Sequence, residues 1–256
     1  MAEKEPGQSE SIDASLKQVL ALETWNLLNK KLEFKLSSES RENLQLLNSI
    51  LAENSAVLYI NHTSKMDVLV TILLILSHLP NVTRMMGPAG MKHYDWRRDP
   101  LSALFLRSLK VLNIHALPVV QVDDTRDYGP KKMKMLTDLK NQTTELLAIP
   151  GTVYGIAPEG TRNRTDGRLQ KANRGIGYLE RYAPDVFYTP LSITYEKFSD
   201  QPELVVGIPL QLADIIPSAI TLPSNSPERA QTIADYHMHR LARLMPENLQ
   251  GVYNLI

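Results

Sequence analysis

The chain contains no cysteine. That excludes disulfides, thiolate nucleophiles, cysteine-bound zinc and iron–sulfur clusters. It also lacks a surplus of either charge, because 28 Lys and Arg stand against 28 Asp and Glu. Binding along nucleic-acid phosphates draws on an excess of positive charge, so nucleic acid is not expected as a partner. Long apolar runs are missing too. The longest, Val68 to Leu79, is broken by Thr71, Ser77 and His78. It falls well short of the roughly 20 residues that cross a bilayer, so no membrane-spanning segment is expected. The first residues, from Met1 to Ser11, are polar and charged, unlike a signal peptide. Neither an internal repeat nor a low-complexity segment is visible.

What is present suits a globular domain with a sizeable core: 256 residues, 43% of them hydrophobic and 22% charged. Residues 1–11 read as a disordered tail and 12–53 as an N-terminal helical segment, leaving 54–256 as the main domain. Within the helical segment, Ile12, Leu16, Val19, Leu20, Leu27 and Leu28 recur at helical spacing. Lys17, Lys30, Lys31 and Lys35 flank that stripe, and Trp25 lies off it. Two readings stay open, a helix packed on the core and a basic amphipathic helix lying in a membrane interface.

A second helix is expected over Glu39–Ala52. Strands and helices then alternate. Strands are expected at Ala56–Ile60, Val82–Met86, Leu117–Val122, Thr152–Ala157, Val186–Thr194 and Leu204–Ile208. Helices are expected at Ser64–His78, Pro100–Leu112, Pro130–Ile149, Asn173–Tyr182 and Pro227–Met245. This order predicts an α/β fold with a mostly parallel or mixed sheet flanked by helices. In such sheets ligands bind at loops leaving the carboxyl ends of strands, and two of those loops carry unusual residues.

The first is Asn61-His62-Thr63-Ser64-Lys65-Met66-Asp67. His62 directly follows a strand, and Asp67 falls in the first turn of the next helix. A carboxylate on one imidazole nitrogen fixes the tautomer and leaves the other nitrogen as a base. The structural alternative is a capping box, in which Ser64 caps the helix and Asp67 reaches back to it. The motif alone leaves both open.

The second loop is Pro158-Glu159-Gly160-Thr161-Arg162. Gly160 permits close backbone approach, and the Arg162 guanidinium suits a phosphate. Arg164, Arg168, Lys171 and Arg174 add positive charge before Gly175 opens an expected helix, whose N-terminus would favour an anion. A solvated basic loop is the alternative. Gly155 to Gly160 has the two-glycine spacing of a nucleotide-binding P-loop, but Thr161 and Arg162 follow instead of Lys and Ser or Thr, which argues against nucleotide hydrolysis.

Together the two motifs resemble those of the glycerol-phosphate and lysophospholipid acyltransferase family, an N-H-x4-D block followed about a hundred residues later by P-E-G-T-R. The likeness continues in order through Arg174-Gly175, Thr189-Pro190-Leu191 and Val206-Gly207-Ile208-Pro209-Leu210, and covers about residues 54 to 245. It implies that 54–256 is an acyltransferase domain with a fold similar to glycerol-3-phosphate acyltransferase. It further implies His62 as general base and Asp67 as its orienting partner. Glu159, Gly160, Thr161 and Arg162 would hold the acceptor phosphate, assisted by Arg126 and Arg174. The implied donor is acyl-CoA or an acylated carrier protein, and the acceptor a lysophosphatidic acid-like lipid. No cofactor or metal is implied, and a cytoplasmic protein peripheral on a membrane surface is expected.

The family's second block usually places an arginine where Asp123 and Asp124 stand here, with Arg126 displaced by two or three positions. Either Arg126 substitutes for that arginine, or the acceptor differs from glycerol phosphate and is a glycolipid or an amino-acid lipid. A non-catalytic lipid-binding protein is the reading from another class. Among the remaining candidates, His237 and His239 are expected at the surface. The Met pairs Met85-Met86 and Met133/Met135 read as packing. The Val68–Leu79 segment reads either as a core helix or as the lining of an acyl-chain channel.

Overall fold

A computed structural model describes residues 34–94, 100–120, 129–163, 165–195, 201–216 and 220–254. The expected N-terminal tail, nearly all of the first expected helix, and the stretch holding Asp123, Asp124 and Arg126 lie outside them.

The described strands are β1 (Lys35–Leu36), β2 (Ala56–Ile60), β3 (Arg84–Gly90), β4 (Ile114–Val119), β5 (Thr152–Ile156), β6 (Phe187–Thr194), β7 (Glu203–Val206) and β8 (Leu210–Gln211). They form one eight-stranded sheet in the order β1-β7-β6-β2-β5-β3-β4, with β8 also on β6. The body from β6 to β4 is parallel, and β7 and β8 run antiparallel to β6. The helices are α1 (Ser38–Leu51), α2 (Asp67–His78), α3 (Pro100–Leu109), α4 (Pro130–Leu147), α5 (Leu212–Ile215) and α6 (Pro227–Ala242). The expected α/β class with a mostly parallel sheet flanked by helices is what the chain adopts.

Every residue of β2 is buried, which is why this strand reads as an unbroken apolar run rather than an alternating one. Val57 and Tyr59 enter one core with Ile233, Met238 and Leu241 of α6. Ala56, Leu58 and Ile60 enter the other, with Leu44, Leu47 and Leu51 of α1 and Val70, Leu73 and Leu74 of α2. Each such leucine contributes about 1.5–3 kcal/mol of apolar burial. The α1 helix is also tied to the sheet by polar contacts. Asn43 donates to the Val206 carbonyl at 2.9 Å and Ser40 accepts from the Val206 N–H at 3.1 Å.

Three departures from the sequence expectations have local causes. β3 runs on to Gly90, through Gly87-Pro88-Ala89, residues that read as a turn. A Cβ on Gly87 would lie 2.6 Å from the Gly155 carbonyl oxygen, so the glycine allows the strands to close up. The helix expected over Asn173–Tyr182 is only a short 3₁₀ segment, Gly177–Arg181. Asn173 donates its N–H to the Pro158 carbonyl instead of joining a helix. Gly177 lies so close to the α6 backbone that a Cβ would overlap the Ala230 carbonyl. The third is a correction: His237 is fully buried in α6, not at the surface. Its ring lies 4.6 Å from that of Tyr188 and 5.0 Å from that of Tyr59.

The sheet topology sets the site. β2 lies between β5 and β6, with Tyr59 opposite Ile156 and Ile60 opposite Leu191. The loops leaving β2 and β5, and the end of β6, therefore emerge side by side at one edge.

Candidate active site

Asn61 is the first residue beyond β2. Its side-chain amide donates to the Ile193 carbonyl and accepts from the Ile193 N–H, both at 2.8 Å. The side chain thus does what a further strand residue would do, and β6 is held against the turn. His62 follows, and its backbone is gripped from the second loop. The His62 N–H donates to Glu159 Oε1 at 3.0 Å, and the His62 carbonyl accepts from the Asn163 N–H at 2.9 Å.

The imidazole Nδ1 lies 3.1 Å from Oδ2 of Asp67. That carboxylate is fully buried, while the ring is 23% exposed. Oδ2 also accepts from the backbone N–H groups of Thr63 at 2.7 Å and Ser64 at 2.8 Å, so the intervening loop wraps the carboxylate. Oδ1 accepts from the Tyr195 hydroxyl at 2.7 Å. The Ser64 contact is half of the capping box considered above. The other half is absent, because Ser64 Oγ accepts from the Met66 N–H. One carboxylate therefore both shapes the entry to α2 and orients the histidine. With Nδ1 held as the donor, Nε2 carries the lone pair, and no group among the described residues bonds it.

Glu159 is also buried, and both its oxygens turn inward. Oε1 takes the His62 N–H, and Oε2 takes the Gln170 N–H at 2.9 Å. Burial pushes this carboxyl up to about 7, against the pull of the two backbone hydrogen bonds and the nearby imidazole. Gly160 has a positive φ of 72°. A Cβ there would lie 2.3 Å from the Asn173 amide, which donates to the Glu159 carbonyl at 2.8 Å. Glycine is needed on both counts. Thr161 and Arg162 are half-buried, directly before the Asn163 that holds the His62 carbonyl. Arg174 is exposed on the turn that follows Asn173. The second loop is thus docked against the first through Glu159 and Asn163, whereas Arg126 lies outside the described residues.

Asn61 and Thr63, the chain neighbours of His62, line a cleft of about 120 Å³ together with Gly167, Tyr195 and Leu249 among others. Among the described residues no group of three or more His, Asp or Glu is placed to hold a metal ion, and no helix is long and apolar enough to cross a membrane. The Val68–Leu79 segment is chiefly core, with Val70, Leu73 and Leu74 buried, although Val68 and Leu76 are exposed.

A histidine whose Nδ1 rests on a buried carboxylate, at the carboxyl edge of a parallel sheet, is an arrangement able to take a proton from a hydroxyl. The family model described as acyltransferase matches residues 36–194. The chain belongs to that family, the glycerol-phosphate and lysophospholipid acyltransferases, and is an acyltransferase. A comparison with curated proteins finds no match.

Asn61, Asn173 and Tyr195 join the site residues that the sequence indicates. Asn61 belongs to the first motif and was open to recognition there. Tyr195 had only a weak signal, the continued alternation of β6, which places it in phase with Leu191 and Ile193 on the α2 side of the sheet.

Proposed function

We propose that the protein moves a fatty acyl group from acyl-CoA or an acylated carrier protein to a hydroxyl of a lysophosphatidic acid-like phospholipid precursor. The observation that carries this reading is the 3.1 Å contact between His62 Nδ1 and a buried Asp67. His62 Nε2 takes the proton of the acceptor hydroxyl as its oxygen attacks the thioester carbonyl. A tetrahedral oxyanion forms, and Asp67 stabilises the imidazolium across the Nδ1 contact. Collapse of the intermediate breaks the carbon–sulfur bond. The departing thiolate takes the proton from Nε2, giving ester, free thiol and neutral histidine. No acyl-enzyme and no metal enter the cycle.

In this reading Gly160, Thr161 and Arg162 shape the acceptor site, and Arg162 supplies a guanidinium for its phosphate. Arg174 and Arg126 add positive charge around that site, and Glu159 holds the second loop to the first. The enzyme works on the cytoplasmic face of a membrane as a peripheral protein.

Asp123 and Asp124, in the position where the family usually has an arginine, favour a second reading in which the acceptor is a glycolipid or an amino-acid lipid. The test is a panel of acceptors with labelled acyl-CoA and acyl carrier protein. Fastest turnover on a lysophosphatidic acid supports the first reading, and turnover confined to unphosphorylated acceptors replaces it with the second. Binding of lipids with no thioester turnover on any acceptor rejects both.

A further inference from the structure

We infer that Tyr195 is a positioning residue for the His62–Asp67 pair, holding the far oxygen of the carboxylate so that the near one stays aimed at the imidazole. This rests on the functional reading above, in which His62 is the base. Oδ2 of Asp67 is shared among His62 Nδ1, the Thr63 N–H and the Ser64 N–H. Among the described residues Oδ1 has the Tyr195 hydroxyl, at 2.7 Å, as its donor. Asp67 has no exposure to water, so without Tyr195 that oxygen would be a buried acceptor with nothing to accept.

The placement follows from the sheet. Asn61 locks Ile193 of β6 to the end of β2 with two hydrogen bonds. Tyr195 lies two residues further on and in the same phase, so its side chain rises on the face from which α2 presents Asp67. The carboxylate is thus clamped by three sources, its own loop, the histidine and the end of β6. Burial, and then the Asp67 charge, push the phenol well above its ordinary value, while the Ser64 hydroxyl pulls it down. The phenol therefore remains a hydrogen-bond donor through the working pH range.

The chemistry is directional. A proton leaves the acceptor hydroxyl for Nε2, and the positive imidazolium must be stabilised without the Nδ1 proton crossing to Asp67. A donor on Oδ1 draws carboxylate charge away from Oδ2, which lowers its basicity and keeps that proton on nitrogen. It also prevents the carboxylate from rotating out of line. The charged and titratable groups facing the imidazole are Asp67 from α2 and Glu159 from the loop after β5. Tyr195 adds a neutral dipole from the end of β6.

Tyr195→Phe removes the hydroxyl and keeps the ring. The expected result is a fall of about five- to fiftyfold in kcat, with the KM values for thioester and acceptor within about twofold of wild type. With the phenol gone, the hold of Asp67 on Nδ1 changes, and the acid limb of the pH–rate profile moves. Nuclear magnetic resonance of 15N-histidine protein supplies a readout independent of turnover. The His62 resonance, identified by its loss in His62→Ala, and its Nδ1 proton should both differ between Tyr195→Phe and wild type. A His62 titration and Nδ1 proton that superimpose on wild type overturn the inference, as does an unchanged kcat. If His62→Ala itself transfers acyl groups at the wild-type rate, the functional reading fails instead, and the resonance comparison still decides whether Tyr195 governs the imidazole.

Discussion

Asn61 and Ile193 exchange two hydrogen bonds of 2.8 Å, a side chain meeting a backbone as though it were a strand. The exchange fixes where β2 ends and where the loop carrying His62 begins. It also carries β6 up to Tyr195, so that three chain segments meet at one carboxylate.

Asn61→Ala strands the N–H and carbonyl of Ile193 in a buried setting, since Asn61 is 1% exposed. Each unsatisfied backbone group costs about 1–3 kcal/mol. The expected loss is about 2–4 kcal/mol of unfolding free energy by urea titration, together with a fall in kcat because His62 loses its anchor. Stability within about 0.5 kcal/mol of wild type would show that the contact is dispensable.

Glu159 should leave a pH signature. Its folded pKa, about 7, lies above the ordinary value of 4.5. Between those values the folded protein keeps a proton that the unfolded chain has released. The stability from this group is therefore full below about 4.5 and is lost as pH rises toward 7. Glu159→Gln cannot titrate, so its unfolding free energy should fall less steeply than wild type from pH 5 to about 7. The variant should also be less active, because a glutamine amide can accept only one of the two backbone N–H groups. Parallel stability–pH curves for the two proteins would contradict the assignment.

His237 acts in the opposite pH direction. Burial, and then the Arg240 charge, depress it from 6.5 to about 3. Among the described residues neither ring nitrogen has a hydrogen-bond partner, and the hydroxyls of Tyr59 and Tyr188 lack partners as well. Between pH 6.5 and about 3 the unfolded chain binds a proton that the folded one refuses, so stability present above 6.5 is lost as pH falls. His237→Phe, which keeps a ring between the two tyrosines, should flatten the acid limb of the stability curve while leaving activity near neutral pH intact. An unchanged acid limb would contradict it.

Much of this was legible in the residue order, and the failures have physical causes. The β2 boundaries were readable to the residue because an all-apolar run is bounded by Asn54-Ser55 and Asn61-His62. The β3 extension was not, because Gly87-Pro88-Ala89-Gly90 has turn composition, and only the approach of Gly155 explains the strand. His237 could have been placed correctly, since Ile233, His237 and Leu241 recur at four-residue spacing on the apolar face of α6. The proximity of His62 and Asp67 was readable from the loop. The inward turn of Glu159 was not, because its partners, the backbone N–H groups of His62 and Gln170, leave no mark in residue type. Tyr195 is 128 residues from Asp67 and belongs to no local motif.

The pairing of a buried carboxylate with a half-open imidazole is tested most directly by single-turnover acyl transfer with His62→Ala and Asp67→Asn, each shown to be folded. His62→Ala should lose about a hundred- to ten-thousandfold in rate. Asp67→Asn should lose most of the same factor, since an amide presents the wrong partner to Nδ1. Transfer at the wild-type rate by the folded His62→Ala protein would contradict the assignment of the base.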